Sequence, residues 1–436
     1  MRLGTFLVDR RPLAFPAFRR LWTASVVVAV AGSCNVVAVP AQLFALTGSS
    51  ATVGLAAGVS LATLAASATY SGALADTLDR RVLLLVGHIL LVLAYLGLWW
   101  QAVLSLNRVP VVLALLLVQG AGLGATLTTA GAVVPRLVPG DVLVAANGLS
   151  SLARYAGAVV GPLLAGALIP LVGLGPLYLL DAVAMTAMLW AVARLPALPA
   201  PARAAGRGVG DLLAAAVTAL RGIADGARYL AGQRVLLAVL GVDLAAMAFG
   251  LPFALYPELA ALTYGPGALG LLFAAFPAGV LATGLMSGSV TRVRRHGAMM
   301  AGAAVAWGLC VIALAVASDL RLALVALALG GAANFVLSTF RNAIAQAYTD
   351  DALRGRIQGI LTVVLLGGPQ LANVAHGVGG ALVGPRWAIG LGGALAAAAV
   401  VGLLRLAPEL WWYVPPEPST AAPPAESDVD GRASSN

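Results

Sequence analysis

Gly72-Ala73-Leu74-Ala75-Asp76-Thr77-Leu78-Asp79-Arg80-Arg81 is a short stretch ending in charge, set between two apolar runs at 51–75 and 82–104. Each run is longer than the roughly 20 helical residues that cross about 30 Å of hydrocarbon. Two such runs joined by a short charged loop describe a chain that crosses a bilayer and turns back. Similar runs flank this pair at 21–46, 110–134, 145–170 and 174–195. A second set follows at 235–261, 268–290, 298–317, 322–346, 357–383 and 386–406. In hydrocarbon every backbone polar group needs a partner within the segment, so these runs predict helices. The predicted fold is an all-α integral membrane protein of twelve transmembrane helices.

The composition agrees. Of 436 residues, 61% are hydrophobic and 10% charged, where a soluble domain averages about a quarter charged. All 26 basic residues are arginine, and they are scattered between apolar spans rather than gathered in a patch, which argues against nucleic-acid binding. The two cysteines, Cys34 and Cys310, exclude a disulfide framework. His88, His296 and His376 have no carboxylate at ligand spacing, so no metal site is expected. There is no P-loop, so ATP is not the expected energy source, and no cofactor is expected.

Arginine placement sets the orientation. Arg2, Arg10, Arg11, Arg19 and Arg20 precede the first span, and Arg80, Arg81, Arg136, Arg292, Arg294, Arg295, Arg354 and Arg356 fall in loops on the same face. The opposite face has only Arg108, Arg321 and Arg386. Both termini are therefore expected in the cytoplasm and the protein in the cytoplasmic membrane. Asn35, Pro40 and Gln42 in the first span lead onward rather than to a cleavage site, so the span is expected to be retained.

The expected organisation is a cytoplasmic segment 1–20, a six-helix half 21–195, a linker 196–234, a second six-helix half 235–406, and a disordered cytoplasmic tail 407–436. The Pro/Ala/Gly-rich stretch LPALPAPARAAGRG (195–208) opens the linker as irregular chain. Beyond it Leu213, Val217, Leu220, Ala224, Ala227 and Leu230 recur at helical spacing opposite Asp211, Arg221, Asp225 and Arg228. This pattern suits a helix on the membrane surface or on the protein's own underside. PRLVPGDVLVAANGL (135–149) and QAYTDDALRGRIQGI (346–360) repeat one order of residue types, as pseudo-symmetric halves would.

The loop at Gly72, Asp76, Asp79, Arg80 and Arg81 resembles the signature loop of the major facilitator superfamily, which implies a conformational latch. The matching place in the second half has Gly288 but Arg292 where the aspartate would be, so the latch is expected to work mainly from the first half. Gly157, Gly161, Pro162 and Gly166 in the fifth span resemble that superfamily's antiporter motif, although close helix packing explains the glycines equally well. Further segments are similar to its enterobactin (siderophore) exporter branch: Pro16 to Arg19, Val37 to Gln42, Thr47 to Ser50, Asp243 to Gly250, Tyr256-Pro257 and Gly355 to Ile357. The resemblance covers about residues 13–406 and implies proton-coupled antiport of a catecholate siderophore out of the cell by a monomer. It also implies a part in iron homeostasis. A multidrug or macrolide efflux pump of the same fold remains the alternative, and a non-transporting sensor the remote one. No catalytic constellation is found, so no enzyme is expected.

Ionisable residues within a bilayer are costly and are functional candidates. Arg154, about 14 Å into the fifth span at helical rise, is the first candidate for binding an anionic cargo, with Asn35, Asn334 and Asn373 beside it. Arg154 is equally read as the partner of a buried acid. Asp243 is the first candidate for proton coupling, followed by Asp181 and Glu258. The sequence-based expectation is that Asp243→Asn stops proton-driven export in a protein that still inserts.

Overall fold

A computed structural model describes residues 9–74, 79–130, 133–195, 228, 230, 232–286, 293–348 and 354–415. Its long helices are α1 (Pro16–Thr47), α2 (Ser50–Leu74), α3 (Arg80–Val103), α4 (Val109–Ala130), α5 (Leu143–Val172) and α6 (Gly175–Ala193). The later ones are α7 (Arg234–Gly250), α8 (Leu269–Leu285), α9 (His296–Val316), α10 (Leu320–Tyr348), α11 (Arg354–Val383) and α12 (Pro385–Leu406). Among the described residues, 10 helical stretches are long and apolar enough to cross a membrane, and α8 is an apolar helix of 17 residues. Asp76, most of the linker and the tail from 416 lie outside the described residues.

Helix pairing repeats with a period of six. In the first set α1 packs on α5 and α6, α2 on α4, and α3 on α4 and α6; in the second α7 packs on α11 and α12, α8 on α10, and α9 on α10 and α12. The most extensive contacts between the sets are α2 with α11 and α5 with α8. These contacts are glycine crossings. A Cβ on Gly54 would lie 2.7 Å from the Asn373 carbonyl and 3.2 Å from the Gly377 Cα, and one on Gly166 would lie 2.6 Å from the Gly270 Cα. Gly54 and Gly270 stand 216 positions apart, as do Gly72 and Gly288; Gly166 and Gly377 stand 211 apart, as do the two repeated loops. The crossings are thus the same contact made twice, both near the end of the molecule where α1 connects to α2.

The span expected to be continuous over 235–261 is broken. α7 stops at Gly250, and the chain resumes as a 3-10 turn at Phe253–Leu255, a short helix at Tyr256–Leu259 and a π turn at Ala260–Tyr264. Pro252 and Pro257 have no N–H to continue the ladder, and each ring crowds the preceding turn. The neighbouring α11 takes up the freed backbone groups. Asn373 Oδ1 accepts from the Ala254 N–H at 3.0 Å, and His376 Nε2 lies 3.1 Å from the Phe249 carbonyl. Broken helices persist at membrane depth only with such substitutes.

Other boundaries move by a few residues. α1 begins at Pro16 and not near 21, because extended Phe15 precedes a proline at the first turn, where the missing donor costs nothing. The segment assigned from 407 to a disordered tail begins instead as a helical turn, Pro408–Trp411, whose Leu410 is fully buried beside Gly297. Of the loop quoted at the outset, Asp79 caps α3 by accepting from the Arg81 N–H at 2.8 Å. The Arg81 guanidinium donates to the Ala193 carbonyl, where α6 ends. A cation there meets the negative end of the helix dipole.

Candidate functional site

A cavity of about 320 Å³ lies between the two helix sets, near the lower end of the range for small-molecule sites. Its walls come from α1 (Asn35, Val36, Val39, Pro40), α2 (Val53, Ala57, Ser60), α4 (Leu116, Gln119), the broken α7 segment (Phe253, Ala254), α8 (Phe273) and α11 (Pro369, Gln370, Asn373). The polar groups are amides and one hydroxyl; none of the described lining residues is ionised. At one end the sets meet through the glycine crossings and through Ser50, whose hydroxyl donates to the Glu258 carboxylate across the set boundary.

The structure brings two of the four expected binding residues, Asn35 and Asn373, to this cavity. Asn334 is half-buried on α10 away from the lining. Arg154 is exposed, donates to the Ser151 hydroxyl at 3.2 Å and sits 5.7 Å from the Tyr155 ring centre. The buried stripe of α5 runs through Ala146, Leu149, Ala153, Gly157 and Gly161, and Arg154 falls outside it. Gly157 and Gly161 pack on α1, where a Cβ on either would lie 2.5 Å from backbone of Ala29 or Val30.

The three acids differ sharply. Asp243 is fully buried and ion-paired: Arg341 Nη1 donates to both of its carboxylate oxygens at 2.8 Å, joining α7 to α10. Arg341 is itself 5% exposed. Glu258 is half-buried and accepts from Ser50. Asp181 on α6 is 0% exposed, and among the described residues neither oxygen has a hydrogen-bond partner.

Sequence reasoning did not find Phe253, Phe273 or Tyr95. Tyr95 accepts from Gln119 Nε2 at 3.0 Å behind the cavity wall. Pro252 and Pro257 were the available signal for Phe253, since a helix breaker inside an apolar run marks backbone that lines a cavity. Nothing in the local sequence distinguishes Phe273 or Tyr95 from ordinary core aromatics.

The family model described as a transmembrane secretion effector, of the major facilitator group, matches residues 9–430. The chain is 29% identical over 375 residues to the enterobactin exporter EntS of Citrobacter koseri, covering 85% of this chain and 86% of that protein. EntS of Escherichia coli is similar to the same extent, 29% over 375 residues. Among solved structures, a POT family transporter in complex with a peptide conjugate covers 90% of this chain and 96% of its own, with a TM-score of 0.67 at 13% identity. A D-xylose-proton symporter covers 93% and 99%, with a TM-score of 0.65 at 15% identity. At such identities these structures speak for the fold alone.

Proposed function

Because the chain belongs to the transmembrane secretion effector family of major facilitators, and so is a membrane transporter and not an enzyme, we propose that it exports an iron-free catechol siderophore. All twelve long helices span the membrane in two pseudo-symmetric halves, with both termini in the cytoplasm. The recurring helix pairs and the arginine-rich loops support that arrangement. Export is driven by protons entering in the opposite direction, and the chain works as a monomer. The latch loop and the glycine motif of α5 serve the exchange between inward- and outward-facing states.

The observation that carries the cargo class is the cavity lining. Asn35, Ser60, Gln119, Gln370 and Asn373 offer neutral donors and acceptors among aliphatic and aromatic walls. A deprotonated catecholate entering such a site would forfeit its hydration without meeting a cation. An uncharged, iron-free catechol has hydroxyls for the amides and a ring for Phe253 and Phe273. Cargo therefore enters protonated and without iron, with Asn35 and Asn373 in contact; Arg154 and Asn334 stay outside the lining in this conformation.

The test is accumulation in inside-out vesicles with and without an imposed proton gradient. Iron-free enterobactin-type siderophore should accumulate only with the gradient, and the ferric complex should not. If a macrolide or dye accumulates and the siderophore does not, the chain is a drug efflux pump and the cargo assignment is wrong.

A further inference from the structure

We propose that Asp181 is the proton-carrying carboxylate of this transporter, linked to the cavity through Tyr95 and Asn35. The proposal rests on reading the chain as a proton-driven exporter. Asp181 lies about two turns into α6, with no exposed surface and, among the described residues, no hydrogen-bond partner for either oxygen. An ionised carboxylate so placed would carry an uncompensated penalty of several kcal/mol. The acid is accommodated by a bound proton, and among the described residues no arginine or histidine is paired with it. The titratable groups close enough to feel its charge are Cys34 of α1, Tyr95 of α3 and Tyr178 on its own helix. Asp243, by contrast, already has Arg341.

Asp181 is not the only buried acceptor left over in this region among the described residues. Asn35 Oδ1, 5% exposed as a residue and next to Cys34 in the chain, also has no partner. A proton on Asp181 removes the buried charge and turns one of its two oxygens into a donor. On the cavity side, Asn35 and Gln119 line the wall, and the Tyr95 hydroxyl is engaged by Gln119 and approached by the Asn35 amide. The acid thus sits behind the same side chains that meet the cargo. Binding of a proton and binding of cargo rearrange one shared group of amides, which is the physical requirement for coupling.

The step is a simple transfer. Hydronium on the outer side gives a proton to a carboxylate oxygen of Asp181, breaking one of its own O–H bonds, leaving water and forming a new O–H bond on the acid. That bond breaks in the inward-facing state, the proton leaves to water and the carboxylate is restored.

Two measurements test this. Infrared difference spectra of the purified full-length protein in lipid, recorded between acid and alkaline pH, should contain a carboxylic-acid carbonyl band. The band should vanish in Asp181→Asn and return, shifted, in Asp181→Glu. In vesicles, Asp181→Asn should lower gradient-driven siderophore accumulation at least about tenfold, equivalent to about 1.4 kcal/mol, while gradient-free exchange persists. A wild-type spectrum from Asp181→Asn, or undiminished accumulation, overturns the assignment. If the wild-type protein moves no siderophore, the cargo reading fails, and the spectrum alone then decides for or against Asp181.

Discussion

Replacing both Gly54 and Gly270 with tryptophan abolishes transport while insertion and helix content are kept. These two residues occupy equivalent places in the two crossings, which are expected to seal one end of the cavity. A Cβ on Gly54 would already lie 2.7 Å from a backbone oxygen, and one on Gly270 2.6 Å from the Gly166 Cα. Those neighbours are main chain and cannot rotate aside. Overpacking of a tight contact costs about 1–3 kcal/mol, and every 1.4 kcal/mol is about a tenfold change in an equilibrium. Two such costs fall on the closed conformation and not on the open one, so the sealed state becomes rare. A cysteine placed at Val39, on the cavity wall, should then react with an impermeant maleimide from the side of the α1–α2 loop. Wild-type transport, or an unreactive cysteine, in the double variant would show that the crossings are not the seal.

A second large effect is expected at Asp243. Asp243→Asn should lower stability by about 3–5 kcal/mol, because Arg341 stays buried without its counter-charge. Removing both charges, as in Asp243→Asn with Arg341→Gln, should restore much of the loss, since replacing both partners is often near neutral. Asp181→Asn, which breaks no ion pair, should melt near wild type. Thermal unfolding in detergent, followed for these variants in parallel, separates the cases. A stable Asp243→Asn, or a double variant no better than the single one, would mean that the pair contributes little. If the expected pattern holds, transport lost in Asp243→Asn reports a damaged bundle before it reports a missing proton site.

The helices were legible because a bilayer demands long apolar runs and arginines mark the turns between them. Their partners were not. Asp243 and Arg341 are 98 positions apart, and nothing local says that α7 meets α10. Arg154 is an example of a general limit: its depth follows from counting residues, but its direction around the helix depends on where α1 and α8 pack. The break in α7 was written in Pro252 and Pro257, yet the surrounding apolar run outweighed them in the reading of hydropathy. Burial without a partner, the property that separates Asp181 from the other acids, belongs to the packed molecule and to no stretch of sequence.

The two joints between the helix sets carry a consequence for how the molecule is built. Each set offers one surface on its second helix and another on its fifth, and each surface meets the other kind on the opposite set. That is the self-complementary geometry of a two-fold homodimer, in which residue i meets j and j meets i. The peptide between α6 and α7 makes this dimer a single molecule. Each set is then free to differ in its own lining, so a symmetric interface can enclose a chamber that is not. Here Asn35 and Asn373, one from each set, face the same space from unequal surroundings.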